Sequence, residues 1–239
     1  MIQHFGLSDV GCSRSSNEDA LALKPELGLF MVADGMGGAQ AGERASAIAI
    51  ETVVESIGKA ATRTGEALVE AIRVANRNVL EQAAVNPAYE GMGTTVVAAL
   101  IDLPAVHIAS VGDSRLYLWR QGELHRITSD QTWVNEVGRN LGLSEHQIDT
   151  HPFRNVLTMA VGARENIDVH THELLLDPGD LLLLCSDGLH GVVDEPSLAQ
   201  ILAGAGTLEE KGKTMIQAAR DEGAPDNITA VLIQHAGPG

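Results

Sequence analysis

The chain has 239 residues, of which 44% are hydrophobic and 3% aromatic, so it can build a sizeable core mainly from aliphatic side chains. Asp and Glu number 32 against 16 Lys and Arg, and the formal net charge of -16 excludes a surface that attracts nucleic acid or anionic lipid. The chain contains no run of about 18 apolar residues that would predict a membrane span, and its first residues lack a signal-peptide pattern. Its two cysteines cannot form a disulfide framework. We therefore expect a cytoplasmic protein.

Two amphipathic helices give the first strong signals along the chain. Apolar side chains recur at helical spacing over residues 41–59 and again over 65–85, where Glu and Arg occupy the opposite face. A weaker pattern of the same kind predicts a third helix over residues 208–221.

Most of the remaining sequence has the pattern of β-strands. Apolar segments at 94–101 and 105–112 are separated by a short turn, and Gln121-Gly122 is a hairpin signal between two further strands. The continuous apolar run at 180–188 is typical of a strand buried on both faces. Because hairpin follows hairpin and the first helices come as a pair, we predict an α+β fold with antiparallel sheets covered by helices.

Four aspartates stand at the ends of apolar strands, each next to Gly or Asn: Asp34, Asp113, Asp187 and Asp226. If these strand ends meet at one edge, the carboxylates would repel each other unless they take up protons or bind a cation. Oxygen ligands favour hard ions such as Mg²⁺ or Mn²⁺. An Asp-Gly pair at a strand end is also a common turn, so this pattern alone leaves both interpretations open.

Seven motifs in series extend over nearly the whole chain: RSSNEDA (14–20), VADGMGG (32–38), GMGTT (91–95), VGDSRLYLWR (111–120), HPFRNVLTMAVG (151–162), LLLLCSDGL (181–189) and PDNITAVLI (225–233). In sequence and order they resemble the metal-dependent protein serine/threonine phosphatases (the PPM family, type 2C), particularly the small bacterial members. The resemblance implies one domain over residues 1–239. It also implies a four-layer α-β-β-α sandwich of two antiparallel sheets flanked by helix pairs.

The resemblance further implies a metal site built from the strand-end acids. Asp34 would bridge two Mn²⁺ or Mg²⁺ ions, and the carbonyl group of Gly35 would bind one of them. Asp187 and Asp226 would complete the site of the first ion. Some bacterial members bind a third ion, for which Asp113 and Asp187 would be ligands.

Three further residues have roles that the resemblance implies. Glu18 and Asp19 would hold waters bound to the ions. Arg14 would grip the phosphate of the substrate through its planar set of donors. Water activated between the two ions would then attack phosphorus directly, with no covalent intermediate on the enzyme.

The sequence departs from the family pattern at the general acid. Some members have His directly after the Asp-Gly pair, and many bacterial members have it after the last glycine, whereas these positions are Met36 and Ala39 here. His190, three residues after Asp187, is one candidate to protonate the leaving group, and water bound to a metal is another. His190 is more simply interpreted as a partly exposed loop histidine.

The leading prediction is therefore a phosphatase that acts on phosphoserine and phosphothreonine in proteins. The alternatives are an inactive module that binds phosphoproteins and a metal-dependent hydrolase of small phosphate esters. The resemblance implies a variable flap at about 129–157 that would gate or select protein substrates. We expect a monomer whose substrates are those of a cognate bacterial serine/threonine kinase, with no nucleic-acid or membrane partner.

Overall fold

The structure, a computed structural model, describes residues 1–138, 140–144, 147–148 and 151–237. Its strands are, in chain order, β1 (Ile2–Asp9), β2 (Asp19–Lys24), β3 (Leu29–Met36), β4 (Gly93–Thr94), β5 (Val96–Asp102), β6 (Ala105–Val111), β7 (Arg115–Arg120), β8 (Glu123–Arg126), β9 (His170–Leu175), β10 (Leu181–Cys185) and β11 (Ile228–His235). Its α-helices are α1 (Ala39–Lys59), α2 (Gly65–Val85), α3 (Asp187–His190), α4 (Glu195–Ala203) and α5 (Leu208–Asp221).

The strands form two antiparallel sheets. One has the order β1-β11-β10-β7-β8, and the other has the order β2-β3-β5-β6-β9, with the short β4 paired to β3. Hairpin neighbours along the chain therefore become neighbours in a sheet, as the turn at Gln121-Gly122 between β7 and β8 illustrates. Gln121 and Gly122 both have positive φ, which matches the right-handed twist of the flanking strands.

Three apolar clusters hold the layers together. Aliphatic residues of α1 and α2, such as Ile72 and Val53, cover the outer face of the β2-β3-β5-β6-β9 sheet. Phe30, Val97 and Leu182 belong to the cluster between the two sheets. A third cluster lies between the other sheet and the helices α4 and α5, and it includes Met215. This arrangement confirms the predicted α-β-β-α sandwich with a helix pair on each side.

The element boundaries follow the sequence pattern with a few differences. The helix at 65–85 is found as predicted, α1 begins two residues before position 41, and α5 covers the weaker helical pattern. β1, β2, α3 and α4 had not been predicted, and the strand predicted over 180–188 ends at Cys185 because α3 begins at Asp187. β1 is half-buried along most of its length and has no clear alternation, and α4 has only nine residues.

Among the described residues, no helix combines the length and apolar character that a membrane crossing requires.

Candidate active site

The ends of several strands meet around one cavity of about 500 Å³. Asp34 lies near the end of β3, Asp113 follows β6, Asp187 follows β10, and Asp226 precedes β11. The cavity is lined by Arg14, Glu18, Asp34, Gly35, Met36, Gly37, Gly38, Thr95, Asp113, Asn155, Leu157, Asp187, Asp226 and Asn227. All four strand-end acids therefore line the same space, although up to 192 residues of sequence separate them in the chain.

Backbone contacts fix Asp34 at the floor of the cavity. Its N–H donates to Oγ1 of Thr95 at 3.0 Å, and its carbonyl oxygen accepts from the N–H of Thr95 at 2.8 Å. The Thr95 hydroxyl also bonds to the Ser114 hydroxyl at 2.7 Å, which ties this part of β3 to the residue after Asp113. Asp34 thus has little backbone freedom, as a group that must meet a ligand at a fixed position requires.

Asp19 lies opposite Asp34 in the pairing of β2 with β3. Its Oδ2 accepts hydrogen bonds from the hydroxyls of Ser186 at 2.7 Å and Thr229 at 2.6 Å. Its other oxygen, Oδ1, is buried without a hydrogen-bond partner, and the same holds for Oδ1 of Asp187. Because buried acceptors nearly always have partners, these two unpartnered carboxylate oxygens fit a site that binds a cation.

Arg14 and Asp226 form an ion pair at the rim. Nη2 of Arg14 donates to Oδ2 of Asp226 at 2.8 Å, and the Asn227 N–H donates to the other carboxylate oxygen at 2.8 Å. The Asn227 side chain in turn accepts from the Glu18 N–H at 2.8 Å and donates to the carbonyl of Ser16 at 2.9 Å. Asn227 therefore holds the loop that carries Arg14 against the segment that carries Asp226.

Two glycines permit the close approach of α1 to the site. A Cβ at Gly42 would lie 1.9 Å from Oε2 of Glu18, and a Cβ at Gly35 would lie 2.2 Å from the carbonyl oxygen of Gly42. The Ser46 hydroxyl donates to the Glu18 carbonyl at 2.6 Å. Gly35 and Gly42 are thus required because the helix packs directly on the backbone of the site.

The electrostatics of the cavity are those of crowded carboxylates. Burial raises the pKa of Asp34 well above its ordinary value, and the carboxylates of Asp19 and Asp187 raise it further. Burial likewise raises the pKa of Asp187, with Asp226 as the next cause, and raises that of Asp19 to about 6. Without a cation, the cavity can only reduce this repulsion by retaining protons.

The donor set consists of carboxylate and carbonyl oxygens, which suits hard divalent ions. In the described part of the chain, however, no group of three or more His, Cys, Asp or Glu side chains has the spacing needed to hold a metal ion without rearrangement. Arg14 occupies one oxygen of Asp226, and a bound ion would replace this contact.

His190 is partly exposed, as the simpler interpretation predicted, but it is the last residue of α3 and does not lie in a loop. Its Nε2 is 3.0 Å from the carbonyl oxygen of Asp113, and since a carbonyl can only accept, this nitrogen carries the proton. Desolvation lowers the pKa of His190 to about 3, and Arg115 acts in the same direction. The imidazole is therefore neutral near pH 7.

Several residues of the site carry no signal of their own in the sequence. Thr95, Ser186, Asn227 and Thr229 act through contacts with distant segments, although all four lie inside the motifs GMGTT, LLLLCSDGL and PDNITAVLI. The flap predicted at 129–157 includes residues 139, 145, 146, 149 and 150, which lie outside the described residues; its described residues Asn155 and Leu157 line the cavity.

Comparison with known proteins identifies relatives along the whole chain. Residues 13–232 match the family described as Protein phosphatase 2C. The serine/threonine phosphatase Stp of Listeria monocytogenes is 36% identical over 235 residues, which cover 95% of this chain and 93% of the relative. The protein phosphatase PhpP of Streptococcus pneumoniae is 34% identical over 238 residues, with 95% of each chain covered.

Solved structures show the same similarity in three dimensions. The serine/threonine phosphatase PstP/Ppp of Mycobacterium tuberculosis superposes with a TM-score of 0.92 at 31% identity, over 99% of both chains. The catalytic domain of a serine/threonine protein phosphatase PstP in complex with two manganese ions superposes with a TM-score of 0.87 at 31% identity, over 98% of this chain and 97% of that one.

Proposed function

This chain belongs to the protein phosphatase 2C family and is a metal-dependent serine/threonine phosphatase, and we propose that it works with two Mn²⁺ or Mg²⁺ ions in the carboxylate cavity. The observation that carries the proposal is the meeting of Asp34, Asp187 and Asp226 beside Arg14 in one cavity. The two manganese ions bound by a similar PstP structure support the same number here.

Asp34, the Gly35 carbonyl, Asp187 and Asp226 would hold the ions, while Glu18 and Asp19 would order the surrounding water. The unpartnered oxygens of Asp19 and Asp187 support this assignment. When bound, such ions lower the pKa of water and offset negative charge on phosphoryl oxygens. Asp113 and Asp187 are the ligands that we propose for a third ion.

Arg14 is the cationic side chain that lines the cavity, and we assign to it the phosphate of the substrate. Its side chain is about half exposed, so the guanidinium can turn from Asp226 to an incoming phosphate. The planar fork of donors matches two phosphate oxygens at once and would stabilise the charge that they carry. Met36, which occupies a position where some family members have His, lines the cavity but can neither donate nor accept a proton.

Protonation of the leaving group is assigned here to water in the cavity rather than to His190. The single N–H of the neutral imidazole is already used on the carbonyl of Asp113. A group with a pKa of about 3 is also deprotonated throughout the neutral range, whereas an efficient general acid has a pKa near the working pH.

We retain as predictions that residues 1–239 form a single domain and that the flap at 129–157 selects substrates. We also retain as predictions that the protein is monomeric and cytoplasmic and that it shares its substrates with a cognate bacterial kinase. Phosphorylated proteins are the substrate class that the relatives support, since curated relatives are named serine/threonine phosphatases.

The test is the variant Asp34→Asn, which removes the charge at the centre of the site and keeps its volume. We expect turnover of a phosphothreonine peptide to fall at least about a thousandfold, because in the proposed site this carboxylate would help to hold both ions. Mn²⁺ binding by calorimetry should weaken, while the melting temperature of the metal-free protein should not fall. Asp102→Asn, at the exposed end of β5, is the matched control.

Full activity of the Asp34→Asn variant would contradict the proposal. The wild-type protein also separates the alternatives: turnover of an aryl phosphate without turnover of the peptide would indicate a small-ester hydrolase. Turnover of neither substrate with Mn²⁺ present, together with binding of the peptide, would indicate an inactive binding module.

A further inference from the structure

Gln131 is a buried amide at the base of the flap that the proposed function does not use. Its side chain is only 1% exposed, yet all of its polar groups have partners. Oε1 accepts from the N–H of Gly112 at 2.8 Å, and Nε2 donates to the carbonyl of Asp168 at 3.0 Å. Its backbone N–H donates to the carbonyl of Gly112 at 2.9 Å. One residue thus satisfies both backbone groups of Gly112.

The same residue joins the two segments through which the chain enters and leaves the flap (131–133 and 156–158). We call these two segments the flap stem. The carbonyl of Gln131 accepts from the N–H of Thr158 at 2.9 Å, and the N–H of Trp133 donates to the carbonyl of Val156 at 2.8 Å. Thr132 and Leu157 pair between them as an antiparallel bridge. Since Leu157 and its neighbour Asn155 line the cavity, the stem positions the residues that face the substrate.

On its other side, Gln131 acts on the residue directly before Asp113. Gly112 has φ of 95°, and a Cβ there would lie 2.7 Å from Cγ2 of Thr95, so the turn between β6 and Asp113 is tightly packed. Glycine has no side chain to restrict its backbone, so Gly112 by itself gives the turn little stiffness. Its conformation therefore depends on the partners of its N–H and carbonyl, and Gln131 supplies both.

Resting on the proposed function, we infer that Gln131 is a positioning residue that fixes Asp113 relative to the substrate-facing residues of the flap. It does not touch substrate or metal. It holds the acid proposed for a third ion and the flap residues Asn155 and Leu157 in one frame, so loosening it disturbs both together. A small aryl phosphate extends little beyond the phosphate, whereas a peptide also meets the flap. The two substrates should therefore respond differently.

The test is Gln131→Met, which keeps the length of the side chain and removes its amide. Asn76→Leu is the matched control, because Asn76 is also 1% exposed and its amide also bonds only to backbone groups, here those of Gly162, Arg164 and Glu165 rather than Gly112. Three quantities are measured for each: amide hydrogen exchange at Gly112, Mn²⁺ binding by calorimetry, and kinetics on a phosphothreonine peptide and an aryl phosphate.

For Gln131→Met we expect faster exchange at Gly112, loss of the weakest Mn²⁺ binding step, and a rise of about fivefold in KM for the peptide, which is the factor that corresponds to one typical net hydrogen bond. The kcat for the aryl phosphate should change less than about threefold. Asn76→Leu should lower the melting temperature by a similar amount without this difference between substrates. If Gln131→Met does not fold, Gln131→Asn, which keeps an amide but is one methylene shorter, takes its place with the same expectations.

Equal effects on both substrates, matching those of Asn76→Leu, would overturn the inference and leave Gln131 a purely structural residue. Unchanged exchange at Gly112 would overturn it as well. Failure of the proposed function looks different, because then the wild-type protein itself would not turn over the phosphothreonine peptide.

Discussion

The metal-free protein should lose stability as the pH rises through the mildly acidic range, and Asp19→Asn should remove part of that loss. In the folded protein, burial raises the pKa of Asp19 from 3.8 to about 6, partly opposed by the hydrogen bonds from Thr229 and Ser186. The folded state therefore keeps a proton that the unfolded state has released. Stability from the protonated form is complete below about pH 4 and is lost as the pH rises toward and beyond 6.

The size of the effect follows from the two pKa values. A rise from 3.8 to about 6 corresponds to about 3 kcal/mol in the free energy of unfolding between pH 4 and pH 7. For a chain of 239 residues, this amounts to a difference of about 6–12 °C in melting temperature. Asp19→Asn keeps an oxygen that can accept a bond from Ser186 or Thr229, so it removes the charge with little change in packing.

The assay is a series of thermal melts in chelator between pH 4 and pH 8, for the wild-type protein and for Asp19→Asn. The two curves should agree near pH 4 and separate above it, with the variant the more stable at pH 7. Mn²⁺ should reverse the order, because the wild-type cavity then gains more from the ions than the variant does. Parallel curves in chelator would refute the reasoning, since Asp19 would then titrate alike in the folded and unfolded chains.

Two other substitutions test the geometry of the site. Gly42→Ala places a methyl group 1.9 Å from Oε2 of Glu18 and should displace that side chain. We therefore expect a metal titration to show that the Mn²⁺ concentration for half-maximal activity rises at least about tenfold. Gly58→Ala is the control, because the nearest atom to a Cβ there is 3.9 Å away. His190→Gln keeps a donor for the Asp113 carbonyl and should preserve both rate and pH profile between pH 6 and pH 9; a fall of about a hundredfold or more on a substrate with a poor leaving group would restore His190 as the general acid.

The fold could be predicted from sequence where a pattern is local and strong. The long amphipathic helix at Gly65–Val85 and the apolar strand at Leu181–Cys185 bury one face or both, so their hydrophobic periodicity survives in the sequence. β1 could not be found in this way. Its residues are half-buried at the edge of a sheet and include His4 and Gly6, so their place depends on pairing with β11, which lies more than 200 residues away.

In the candidate site, too, some residues could be predicted from the sequence and others could not. Asp34, Asp187 and Asp226 stand in recognisable motifs, because the position of an acid after a buried strand is fixed by neighbours in sequence. Gln131 and Asn227 have equally specific contacts, but their partners are the backbone groups of Gly112 and Ser16, which any residue type would offer. A side chain that recognises backbone leaves no complementary residue type to detect in a single sequence.

The charges of the cavity also determine the order in which its ligands bind. Five carboxylates line it against the single guanidinium of Arg14, which is already paired with Asp226. At an effective dielectric constant of about 20, one ionised carboxylate about 4 Å from a phosphate charge opposes it by about 4 kcal/mol, which exceeds the roughly 1.5–3 kcal/mol of a charged hydrogen bond. Arg14 alone therefore cannot retain a phosphate in the metal-free cavity. If Asp226 holds a divalent ion as proposed, ion binding would come first and would release Arg14, so the same event would reverse the sign of the local field and free the side chain proposed to receive the substrate.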